Sequence, residues 1–402
     1  MRALVVGCTG VAGSALVSRL IHDAERAHTQ WEEIVGLSRG PHTNMEVKKR
    51  SKKSVFTVRF IGADLTENDA EKLSNAIGKD LLLRITHIFF CAWLPFPQSN
   101  EEEFTKNCAI FSNLVETVAT VHNNNASKYP RFILLEGTKT YGIHLGPLKF
   151  SDYKAPFVES DYKRHGVLKN FYFGWEDLLL EKKWPEWVAV RPGPIVGVAV
   201  QRSSFFNFGT GLACLLALLK ATGKGMIFPD SLDGTPKVKA LSALHDQVHS
   251  DIVAAEMVFL ALAPSEKLDK QMLDSYGVHG FNCSNGEPFQ WKNVWPQLAS
   301  KFNMNCSLDE PFNLVDFLKD EKTNAAWAKL VDEHELVAPR NLSEVVVWPA
   351  VIGTLTRSYD CHASVEKVRK LGFSTTMNTV DMFIQVIKQL QKEKVIPPIL
   401  IQ

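Results

Sequence analysis

The sequence has no charge excess, no long apolar run and no paired-cysteine motif, and each lack excludes a class of protein. Its 45 Lys+Arg stand against 44 Asp+Glu, a formal net charge of +1. Nucleic acids and anionic membrane surfaces are held through a positive field, so neither is expected as a partner. The longest apolar stretch, residues 211–219, falls well short of the ~20 residues that a membrane span needs. Met1-Arg2-Ala3-Leu4-Val5-Val6-Gly7 turns into glycine too soon for a secretory signal, and a cytoplasmic location is expected. The seven cysteines, Cys8, Cys91, Cys108, Cys214, Cys283, Cys306 and Cys361, are odd in number and include no C-x-x-C pair. They read as buried small hydrophobes in a reducing compartment, with no disulfide frame and no zinc knuckle. His245 and His249 have the i, i+4 spacing of zinc ligands on a helix. No clear third ligand accompanies them, so no metal is expected and the segment reads as a surface or lobe-packing helix.

What remains is ordinary globular composition, 402 residues of which 45% are hydrophobic and 22% charged. Up to about residue 200, short β-rich runs alternate with amphipathic helical stretches. Strands are expected at 2–6, 33–37, 56–60, 85–90, 131–135 and 187–190, and helices at 11–23, 67–77, 101–121 and 170–182. Such alternation implies parallel β-α-β units in a doubly wound α/β sheet. After Gly197 the pattern changes to helices, loops and dense aromatics, with few candidate strands such as 280–283. Residues 1–200 are therefore expected to form the dinucleotide-type sheet domain and 201–402 a mainly helical substrate-binding lobe, with some segments returning to the sheet. The basic run Lys48-Lys49-Arg50-Ser51-Lys52-Lys53 lies between two expected strands and reads as a solvated loop.

Gly7-Cys8-Thr9-Gly10-Val11-Ala12-Gly13 joins the first strand to the first helix. Glycines there let the backbone turn tightly and approach a pyrophosphate, which the free N–H groups of a helix N-terminus attract. A Rossmann-type dinucleotide site is expected. The end of the second strand reads Val35-Gly36-Leu37-Ser38-Arg39-Gly40, without the carboxylate that would hold a ribose 2′-hydroxyl. Arg39 and Ser38 instead suit a 2′-phosphate, which favours NADPH. Asp64 and Leu65, after the third strand, are candidates for the adenine side, although Asp64 serves equally well as a helix cap.

Hydride transfer to an electrophilic carbon leaves negative charge on an oxygen, so an acid and a nearby cation are required. Short-chain dehydrogenases supply them as Tyr-x-x-x-Lys on one helix. Here Tyr172 is followed at that spacing by Glu176, and the candidate lysine is Lys139, in Leu135-Glu136-Gly137-Thr138-Lys139-Thr140-Tyr141-Gly142. Gly-Thr-Lys before Tyr-Gly, Asn170-Phe171-Tyr172 before Glu176-Asp177, Arg191-Pro192-Gly193-Pro194-Ile195-Val196-Gly197, and Phe281-Asn282-Cys283-Ser284-Asn285-Gly286 before Phe289-Gln290-Trp291-Lys292 follow in order. In these four motifs the chain resembles the progesterone 5β-reductase/iridoid synthase family of atypical short-chain dehydrogenases.

That resemblance implies NADPH-dependent reduction of the C=C bond of an α,β-unsaturated carbonyl. It casts Tyr172 as hydrogen-bond donor to the carbonyl oxygen and Lys139 as the cation near the cofactor ribose. It places Ala92, Trp93, Pro194, Ile195 and Val196 along the cofactor. Trp93, Tyr141, Phe205, Phe206 and Trp348 are candidates for the substrate pocket. The chain departs from the family pattern at Thr140, where His is common, and at Phe173, where a second Tyr is common. The expected partner is a small apolar carbonyl compound of terpenoid, steroid-like or polyketide type, and a homodimer is compatible with the sequence. A carbonyl reductase using the same pair, and a non-redox cyclase or cofactor-binding protein on the same fold, stand as alternatives.

Overall fold

The computed structural model describes residues 1–26, 31–40, 45–50, 55–95, 99–143, 154–161, 169–199, 207–268 and 272–399, with the backbone alone at 45–50 and 161. One eight-stranded sheet runs through it. Its strands are β1 (Arg2–Val6), β2 (Glu33–Ser38), β3 (Met45–Arg50), β4 (Val55–Gly62), β5 (His87–Phe90), β6 (Arg131–Leu135), β7 (Trp187–Pro192) and β8 (Gly280–Cys283), in the order β8-β7-β6-β5-β1-β2-β4-β3. All neighbours are parallel except β3, which pairs antiparallel with β4 at the edge. The helices of eight or more residues are α1 (Val11–Glu25), α2 (Ala70–Ile77), α3 (Asn100–Val121), α4 (Phe171–Glu181), α5 (Phe208–Ala221), α6 (Ser250–Ala261), α7 (Trp291–Lys301), α8 (Glu321–Glu333), α9 (Trp348–Leu355) and α10 (Thr379–Lys392).

The parallel strands are apolar at nearly every position because both faces are covered. In β1, Ala3 and Val5 pack with α1 and α6, while Leu4 and Val6 pack on the opposite face with α2, α3 and α4. A third cluster is built around α5, whose residues from Phe208 to Leu219 are all buried against α7, α8, α9 and α10. That burial explains the 211–219 apolar run. Among the described residues no helix is long and apolar enough to cross a membrane.

Four expectations from the sequence need correction. Residues 48–50 belong to edge strand β3, not to a loop. An edge strand rich in Lys has no apolar alternation to reveal it, and such charge discourages pairing with another chain. The 245–249 segment is extended, not helical: His245 bridges Phe289 and Cys361, and Val248–His249 pairs in parallel with Ile195–Val196. His249 then caps α6 by accepting from the Asp251 N–H. Cys306 is exposed and Cys91 and Cys108 are half-buried, so the buried-hydrophobe reading holds for Cys8, Cys214, Cys283 and Cys361 only; all seven are free. The helix expected from residue 67 starts at Ala70, where Asp69 accepts from the N–H groups of Glu71 and Lys72.

Candidate active site

Every sequence-derived cofactor candidate lies at or just beyond the carboxyl end of a strand, and the strand order puts them in a row. Asp64 and Leu65 follow β4, Ser38 ends β2 and Arg39 follows it, the glycine turn follows β1, Ala92 and Trp93 follow β5, Lys139 follows β6, and Pro194 to Val196 follow β7. The connections reverse direction between β1 and β5, the place where open α/β sheets leave a crevice for a ligand.

The turn after β1 has the shape of an anion cradle. Gly7 adopts φ +81°, and a β-carbon there would come within 2.9 Å of the Ala92 backbone. A β-carbon on Gly13 would collide with the Gly7 carbonyl oxygen. Gly10 caps α1 without any side-chain hydrogen bond, so the first-turn N–H groups of Val11, Ala12 and Gly13 keep their capacity for a ligand. Thr9 is buried within this turn. These features fit the pyrophosphate of a dinucleotide. Farther along, Arg39 is exposed and Ser38 half-buried. Asp64 accepts from the N–H and hydroxyl of Thr66, a local turn, and Leu65 is buried with its carbonyl held by Asn113.

On the other side of the crevice, Gly137 follows β6 and caps a single helical turn, Thr138–Tyr141, that presents Lys139. Asn170 fastens this turn to α4: its side-chain amide donates to the Lys139 carbonyl at 3.1 Å, and its side-chain oxygen accepts from the Tyr172 N–H at 3.1 Å. Tyr172 lies edge-on to Phe171 and Trp175, and a β-carbon on Gly137 would be 3.3 Å from its hydroxyl oxygen. Burial, and then the negative charges of Glu136 and Glu103, push the Tyr172 phenol well above its usual range. It therefore keeps its proton and acts as a donor. Lys139 points its ammonium at Glu103, 3.0 and 2.9 Å from the two carboxylate oxygens, and lies 5.8 Å from the Trp93 ring and 5.5 Å from Phe171. The half-exposed Trp93 donates its indole N–H to the same carboxylate at 3.1 Å.

Behind this edge lies a fully buried ionic cluster. Arg191, on β7, contacts Glu136 at 3.0 Å, Glu176 at 2.8 Å and Asp274 at 3.2 Å. Burial and the adjacent Glu176 push the Glu136 carboxyl up. Glu176, which stands where a short-chain dehydrogenase carries lysine, is thus committed to Arg191.

The pocket candidates are spread out. Tyr141 is fully buried, stacked on Phe157 at 5.2 Å with its hydroxyl donated to Asn282 at 2.6 Å. Trp348 is buried in the α5-centred cluster, its indole N–H on the Leu342 carbonyl. Phe205 and Phe206 lie outside the described residues. Pro194 accepts from the Val248 N–H, and Ile195–Val196 forms the short parallel pair with Val248–His249. Among the described residues no group of His, Cys, Asp and Glu is arranged to hold a metal. Sequence reasoning missed Glu103, Asn170 and the role of Arg191. Asn170 alone left a signal, a capping residue directly before a helix.

A parallel sheet with a glycine cradle after its first strand, and a Lys and Tyr held together two strands away, defines a dinucleotide-binding protein of the short-chain dehydrogenase type. The chain belongs to the PRISE-like Rossmann-fold domain family, whose pattern matches residues 3–397. It is 28% identical over 404 residues to an (S)-8-oxocitronellyl enol synthase of Catharanthus roseus, covering 98% of this chain and 92% of that protein. It is 24% identical to the short chain dehydrogenase gsfE of Penicillium aethiopicum, covering 98% and 99%. It is 26% identical to a 3-oxo-Delta(4,5)-steroid 5-beta-reductase of Arabidopsis thaliana, covering 98% and 93%. Among solved structures, the Bordetella bronchiseptica enzyme WbmH in complex with NAD+ shares the fold at a TM-score of 0.57 and 13% identity, covering 98% of this chain and 99% of that one.

Proposed function

We propose that this chain is an NADPH-dependent reductase of the C=C bond of α,β-unsaturated carbonyls, acting on an apolar specialised metabolite. The observation that carries the reading is the fastening of the Lys139 turn to the start of the Tyr172 helix, at the same sheet edge as the glycine cradle. The names of the plant relatives, an enol synthase and a steroid 5-beta-reductase, support it. The dinucleotide is held by Gly7, Gly10 and Gly13 at its pyrophosphate, with Ser38 and Arg39 for the 2′-phosphate and Asp64 and Leu65 on the adenine side. Ala92, Trp93 and residues 194–196 flank its other end. When bound, NADPH supplies the hydride that adds to the β-carbon of the enone. Tyr172, protonated across the working pH range, donates to the carbonyl oxygen and stabilises the charge that develops there. Lys139 adds an ammonium donor to that oxygen or to the ribose. Residues 201–402, apart from the segments that return to the sheet, supply the substrate lobe, with Phe205 and Phe206 as apolar wall.

The test is a panel of terpenoid, steroid and polyketide enones offered with NADPH or NADH, with products identified by NMR. The expected result is a saturated ketone or aldehyde, formed faster with NADPH. Allylic alcohols, or no NADPH oxidation with any enone, would overturn the reading.

A further inference from the structure

Glu101, Glu102 and Glu103 together occupy the first turn of α3. The first two are exposed, as expected of residues that complement a helix dipole. Glu103 is only 9% exposed, and its carboxylate is the meeting point of Lys139 and Trp93. Its own place is fixed from the backbone. The Glu103 N–H donates to the Ser99 carbonyl, and its carbonyl accepts from Asn107. The Asn107 side chain also bonds both the N–H and the carbonyl of Leu94, so α3 is stapled to the loop that carries Trp93.

A lysine ammonium has three N–H donors on a flexible stem. With both carboxylate oxygens of Glu103 in hydrogen-bond range and aromatic rings on two sides, the ammonium has little rotational choice left. A carboxylate at this distance also cancels much of the positive field, so direction is what the pair provides. Lys139 follows β6, two strands from the glycine turn, about 10 Å along the sheet edge at the usual strand spacing. That is the part of the crevice where the reactive end of a dinucleotide must lie if its pyrophosphate rests on the turn.

We propose that Glu103 is a positioning residue of this site: it aims the remaining Lys139 donor into the crevice and, through the indole N–H, sets the Trp93 ring beside it. The proposal rests on the reading of Lys139 and Tyr172 given above. The Glu103→Gln variant keeps the size of the side chain and removes its charge and one acceptor. It is expected to lower kcat about tenfold or more, while the enone KM and the NADPH dissociation constant change by no more than about twofold. Glu103→Asp recovers part of the loss. In a Lys139→Met background, Glu103→Gln adds no further loss, because its effect runs through the lysine. Wild-type kcat in Glu103→Gln, or losses that multiply in the double variant, would overturn the proposal.

A second measurement needs no turnover. Acetic anhydride labelling, read by mass spectrometry on the Lys139 peptide, is expected to be several-fold faster in Glu103→Gln than in the wild type, as the side chain is released from its two carboxylate contacts. An unchanged labelling rate overturns the positioning role whatever the reaction. Faster labelling in a protein that reduces no enone supports the Glu103 assignment and rejects the ene-reductase reading alone.

Discussion

Tyr172 and Phe173 are neighbours in sequence with unlike surroundings. Phe173 joins the small cluster of Tyr141, Phe157 and Cys361, whereas Tyr172 rests on Phe171 and Trp175 with its hydroxyl beside Gly137. One residue is about 100° of helix rotation, enough to separate the two side chains. The departure at Phe173 therefore leaves the Tyr172 position itself intact. In the proposed reaction Tyr172→Phe removes one oxyanion donor, worth about 3 kcal/mol of transition-state stabilisation, so kcat is expected to fall roughly a hundredfold while NADPH affinity, followed by fluorescence titration, is retained. Unchanged turnover would remove Tyr172 from the chemistry. At this scale the sequence was readable in placement, as with Lys139 in the turn directly after a strand. Glu103 was not readable, because three consecutive glutamates at a helix start look alike until the fold buries one of them.

At the scale of elements, the strands buried on both faces announced themselves as short continuous apolar runs, and β1 and β6 match their expected limits. β3 escaped because an edge strand has solvent along one side and no need of apolar alternation. The Val248–His249 strand escaped because two residues carry no period at all. The glycine turn was readable because its demands are local. Gly13→Ala places a methyl group against the Gly7 carbonyl, so α1 must shift away from β1. The expected outcome is NADPH binding weakened by more than about tenfold, since the anion cradle depends on that close approach, and calorimetry would measure it. Affinity equal to wild type would reject the turn as the pyrophosphate site.

For the whole molecule, Arg191 is the fully buried ionic hub where β6, β7, α4 and the Asp274 segment meet. Arg191→Met strips the cation from three buried acids, and a broken buried network of this kind loses about 3–5 kcal/mol. The loss has a pH signature. The folded Glu136 carboxyl sits above its unfolded value, so this group binds more protons in the folded state and its contribution to stability declines as pH rises beyond about 4.5. Without Arg191 that decline steepens, and urea midpoints at pH 5 and pH 8 should differ more in the variant than in the wild type. Equal differences would mean that the acids are neutralised in another way. None of this was legible from the chain, because Glu136, Glu176, Arg191 and Asp274 are far apart in sequence and meet only when the sheet closes.

The Asn170 bridge has a consequence for how such an enzyme diversifies. Because one amide ties the lysine turn to the tyrosine helix, the pair proposed to react travels as a single tool head. On the proposed reading, remodelling of the helical half retargets such an enzyme to a new molecule without recalibrating the tool.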